Sequence, residues 1–101
     1  MKTLNIVPGP DGFAEDKDEA RRLRNEKLLP ILERGGKVVL NFEGVNSATQ
    51  SFVHALVGEA LQRYGEDVLE RIEFRNCSRA VRSVIELVVD YSLAGFPEQA
   101  V

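Results

Sequence analysis

Three times along this chain a short run of alternating hydrophobic residues gives way to a longer stretch whose hydrophobic residues recur every three or four positions. Period two marks a strand and period 3.6 a helix, so the order reads strand, helix, strand, helix, strand, helix. Strands separated by helix-length connections pair in parallel with right-handed crossovers, which is α/β construction. At 101 residues there is room for one such unit and no second. Residues 1–101 therefore read as a single domain: a small two-layer sandwich with a mostly parallel sheet of three or four strands. Polar outward positions on the first and third strands place the helices mainly on one face.

Local signals bound the elements. Thr3 to Val7 forms a strand with Leu4 and Ile6 on one face, stopped by Pro8-Gly9-Pro10-Asp11-Gly12. A helix starts at Asp16, whose carboxylate caps free amides while Glu19 reaches back, and Gly35-Gly36 ends it. Pro30 kinks this helix or opens a separate final turn. Lys37 to Phe42 is the strongest strand, with Val38, Leu40 and Phe42 on its dry side. A helix over Ala48 to Tyr64 buries Phe52, Val53, Leu56, Val57, Ala60, Leu61 and Tyr64. Glu70 to Arg75 alternates with Ile72 and Phe74 inward and Arg71, Glu73 and Arg75 outward, the pattern of an edge strand. Ser78 caps a last helix that buries Val81, Val84, Ile85, Val88 and Tyr91, runs to Ala94 and closes at Gly95 and Pro97.

Composition excludes several classes of function. With 44% hydrophobic and 29% charged residues the chain can build a core and is not a disordered tail. A net charge of −3 argues against a nucleic-acid binder that works by neutralising phosphates. One cysteine excludes an internal disulfide, and one cysteine with one histidine excludes a conventional zinc site. The N-terminus lacks the pattern of a signal peptide and no apolar run has membrane-spanning length, so the expected setting is the cytoplasm, without membrane partners.

The most informative stretch runs from Val38 to Phe52, a buried strand leading into a helix start rich in hydroxyls. Ser47-Ala48-Thr49-Gln50 reads as a capping box, with Thr49 as the alternative cap. Capping does not explain Ser51, and a hydroxyl in a first turn is placed where free amides and the helix dipole stabilise a phosphate. Opposite the core stripe lie Ser51, Ala55, Gly58 and Gln62, and Gly58 costs roughly 1 kcal/mol against alanine inside a helix. Such a slender back admits another backbone, either from a partner or from the first or third helix of the same chain. His54, three residues after Ser51, makes no credible hydrolase pair, since nothing supplies an orienting carboxylate. Cys77, between a strand and a helix start, reads as a small buried hydrophobe. Arg21, Arg22 and Arg24 read as a solvated helix side paired with nearby acids. No catalytic residue, metal ligand or cofactor is assigned.

The segments Leu23 to Leu32, Lys37 to Val45 and Thr49 to Phe52 resemble a bacterial STAS-like domain family of unknown function, in order over residues 4–90. That resemblance implies a non-enzymatic α/β signalling module related to the STAS domains of anti-sigma factor antagonists. In those domains a serine at the start of the helix after the central strand is phosphorylated. By position Asn41 falls where STAS domains carry an aspartate, Val45 on their valine and Ser51 on the phospho-acceptor. Thr49, Gln50 and Phe52 depart from the pattern around that serine. The implied partner is an ATP-binding protein of the anti-sigma, histidine-kinase-like type. It is expected to dock on the second helix around Ser47, Thr49, Ser51, His54, Ala55 and Gly58. Two other readings compete. One is a homodimer through Val89 and Leu93 or through the edge strand near Ile72 and Phe74. The other is a small-molecule or nucleotide binder with a polar cleft at the strand ends, near Asn41 to Val45 and Asn76 to Ser78.

Overall fold

Parallel pairing of three four-residue strands organises the chain. In the computed structural model, which describes residues 1–94, β1 (Lys2–Asn5), β3 (Val38–Asn41) and β5 (Ile72–Arg75) form one sheet in the order β1-β3-β5. Leu4 lies beside Leu40 and Leu40 beside Phe74, so the apolar side chains of all three strands share a face. A separate parallel pair joins β2 (Phe13–Ala14) to β4 (Ser47–Ala48). The α/β class, the parallel sheet and the edge position of the third long strand agree with the sequence pattern. Gly95 and Pro97, expected to close the last helix, lie outside the described residues.

The first helix runs through Lys17–Leu23, a π turn over Arg24–Leu28 and Leu29–Glu33. Asp16 caps it, Oδ1 accepting from the amides of Asp18 and Glu19. The side chain of Glu19 does not reach back; it pairs with Arg22, which offers a charged partner on the exposed side. Pro30 stands in the first turn of the final segment, Leu29–Glu33, which continues from the π turn without leaving helical backbone. It has no N–H to give and its ring crowds the preceding turn. The turn before it widens, with the Leu29 amide reaching the Arg24 carbonyl.

The middle helix comprises Gln50–Val53, a π turn over His54–Gly58 and Glu59–Tyr64, and the last helix spans Arg79–Ala94. Ser78 caps the latter by accepting from the Val81 amide at 3.1 Å. Leu28 and Leu32 from the first helix, Leu56 and Leu61 from the middle one and Val81 and Val88 from the last pack over Val38, Leu40 and Phe42 of the sheet. On the opposite face Thr3, Asn5, Glu73 and Arg75 are exposed, so the helices occupy one face, as polar patterning required. Val39 also points away from the helices, yet it is buried, because a central strand has register neighbours, Thr3 and Glu73, on both sides. Val89 and Leu93 are half-buried against the core rather than turned outward; Leu87 is the exposed apolar residue of the last helix. No helix among the described residues is long and apolar enough to cross a membrane.

Candidate functional site

The middle helix begins with a threonine rather than a capping box. Ser47 belongs to β4, opposite Phe13, and is therefore removed from the helix tip. Thr49 is the cap, its Oγ1 accepting from the Phe52 amide at 3.0 Å. Ser51 follows in the first turn with its side chain exposed.

Beyond that turn the expected bare back is covered by the chain itself. Ala55 and Gly58 are buried, and Gly58 lines no part of the groove that stays open, whereas Ala55 shows only a small part of its surface there. On one flank Arg24 of the first helix donates to the Ala55 carbonyl at 3.1 Å and lies 3.7 Å from Glu59. On the other, the His54 ring lies over Gly58, where an added Cβ would stand 2.5 Å from its Cδ2. The same ring meets Tyr91 of the last helix, centroids 5.9 Å apart. The small residues therefore let two helices of this chain approach the middle one.

What stays open is a groove of about 550 Å³ between the first and middle helices, lined by Lys17, Arg21, Arg24, Ser51, His54, Ala55, Glu59 and Gln62. Three cations face one carboxylate. Arg21 is held by exposed Asp18 at 2.8 Å, and Lys17 is exposed beside it. Ser51 and Gln62 complete the accessible wall. Arg24 does not belong to a solvated side. Its side chain is only 15% exposed. The sequence does contain a signal for this, because Arg24 sits four residues from both Ala20 and Leu28, on the buried stripe.

At the strand ends the polar side chains bond to one another. Asn41 Oδ1 accepts from the Glu43 amide and from Asn76 Nδ2, at 3.2 and 2.8 Å, and Asn41 Nδ2 donates to Asn5 Oδ1 at 3.0 Å. Ser78 Oγ donates to the Asn46 carbonyl at 2.8 Å. These groups tie the strand ends to one another. Cys77 is half-buried, and burial pushes its thiol up while Arg82 pulls the other way. A thiol so placed is not activated as a nucleophile.

A family model described as a STAS-like domain of unknown function matches residues 19–82. The chain belongs to this family. No curated protein and no solved structure matches it. The matched segment of this STAS-like domain begins inside the first helix and ends in the last. It therefore takes in every groove residue except Lys17.

The packing of His54 against Gly58 has a measurable consequence. In this STAS-like domain Gly58→Ala gains helix propensity but must displace the imidazole, whereas in a His54→Ala background only the gain remains. A double-mutant cycle read by urea unfolding is expected to show a coupling of about 1–2 kcal/mol between the two positions. A coupling near zero would mean that the ring does not occupy the space over Gly58.

Proposed function

We propose that this STAS-like domain is a non-enzymatic regulatory module that docks a protein partner in the groove between its first and middle helices. The observation that carries the reading is the composition of that groove, where Lys17, Arg21 and Arg24 face exposed Ser51 and Gln62. A concave, cationic wall on a chain of net charge −3 selects a partner that brings carboxylates. The resemblance to STAS domains of anti-sigma factor antagonists supports an ATP-binding, kinase-like protein as that partner. The docking residues are Ser51, Gln62, Lys17 and Arg21, with Thr49 fixing the first turn and Ala55 forming the floor.

The same geometry suggests how phosphorylation acts. A phosphate on Ser51 adds about −1.5 to −2 charges and three strong acceptors. Here it stands among the three groove cations and takes over the contacts that the partner's carboxylates would use. The switch is thus competition for one set of cations. The test is calorimetric titration with a kinase-like protein recovered by co-purification with the products of neighbouring genes. Binding to the wild type and at least a tenfold loss for Ser51→Asp and for Arg21→Glu, with unchanged circular dichroism, are expected. Wild-type affinity in both variants removes the groove as the docking site. Mass spectrometry after incubation with that kinase tests the phosphate separately.

A further inference from the structure

β5 carries a backbone edge that the described chain leaves uncovered. Val38 and Phe42 donate their amides to the carbonyls of Arg71 and Arg75 at 2.8 and 2.9 Å. Alternation along a strand then turns the N–H and C=O groups of Ile72 and Phe74 away from β3, and neither residue has a backbone hydrogen bond outside the ladder. An edge of this kind is a template for another strand.

We infer that β5 pairs antiparallel with β5 of a second copy, about a twofold axis through Phe74, so that two sheets become one. Symmetry leaves few registers, and charge chooses among them. An axis through residue 73 sets Glu73 against itself, and one through residue 75 sets Arg75 against itself. An axis through residue 72 calls on Arg71, whose guanidinium is already bound to the Leu32 and Gly36 carbonyls. Centred on Phe74, the pairing sets Glu73 opposite Arg75 of the second copy, and the reverse, at two symmetric places. Those are non-hydrogen-bonded positions, where facing side chains come closest. Phe74 of each copy meanwhile exchanges both backbone bonds with the other. Within one copy Arg75 and Glu73 already lie 2.7 Å apart on the open face, so association builds a four-charge network. The other free edge lacks this complementarity. Beside β1 stand Lys2, Lys27 and Arg34 against one carboxylate, Glu26, which Arg22 already holds, so two copies meeting there would bring an excess of like charge together.

This surface contributes nothing to the groove, so it stands or falls apart from the docking function. Sedimentation equilibrium of the full chain at low salt is expected to show a dimer that weakens as salt rises. Glu73→Arg and Arg75→Glu each weaken it about tenfold or more, and the two together restore it, because the charges are then exchanged. In the wild type, exchange of the Phe74 amide should slow only at concentrations where the dimer forms. A wild-type monomer up to millimolar concentration, single reversals that leave the dimer intact, or a double variant that stays monomeric would each overturn the proposal. A dimer with unprotected Phe74 amides would do so as well.

Discussion

Phe42→Ala is expected to lower the unfolding free energy by about 3–5 kcal/mol, the range for emptying a buried aromatic site. Phe42 is fully buried, directly after the central strand. Its amide holds the Arg75 carbonyl at 2.9 Å and its ring meets that of Phe74 with centroids 6.4 Å apart. Sheet and helix layers both close on that ring, so removing it leaves a void that neither layer can collapse into without breaking the parallel register. A domain of this size is stable by roughly 5–15 kcal/mol, so the loss takes a large share of the whole. Urea unfolding measures it, with the midpoint falling and the slope unchanged. A loss below about 1 kcal/mol would mean that the site collapses freely, which close packing argues against.

The second large effect belongs to Arg71, which the alternating pattern assigns to the wet side of a strand. The strand begins one residue later, and Arg71 instead ends the turn before it. Its Nε donates to the Gly36 carbonyl at 3.2 Å, its Nη2 to the Leu32 carbonyl, and its guanidinium lies 5.7 Å over the Tyr64 ring. Leu32 is in the last turn of the first helix, where carbonyls lack intrahelical donors and the dipole is negative. Arg71 therefore caps a helix distant in sequence. Arg71→Met keeps the stem, takes the guanidinium from the Gly36 carbonyl and leaves the Leu32 carbonyl with the Gly35 amide alone, at an expected cost of about 2 kcal/mol by urea unfolding. Arg71→Lys should recover less than half of that, because one ammonium cannot span two carbonyls and a ring as the planar fork does. Full recovery by lysine would reduce Arg71 to a point charge.

These two residues also divide what was readable from what was not. Phe42 is visible in the pattern, since its strand has one dry side and its place on that side follows from alternation. Asp16 and Ser78 are visible too, because a cap contacts amides two or three residues away. Thr49 was one of two alternatives, and the structure selected it once Ser47 paired with β2. Arg24 and Arg71 were misplaced, and for the narrow back at Gly58 the structure selected the second of two alternatives, cover by the chain's own helices. Each depends on what an element remote in sequence does. Pro30 was read as a kink or as the start of a final turn, and it stands in the first turn of the last segment, Leu29–Glu33, behind a widened turn.

By itself, then, the sequence determined the order of elements, the parallel α/β class, the dry faces and most of the caps, since all of these rest on contacts within a few residues or on simple periods. Helical period also located the narrow back of the middle helix. Whether that back stayed open was settled only by the tertiary structure. Arg24 arrives there from one side, and His54 with Tyr91 closes the other, so the accessible surface moves to the cationic groove beside Ser51. Periodicity fixes the angle at which a side chain leaves its own helix, but the sideways placement of neighbouring helices follows from how the whole sheet and its crossovers pack.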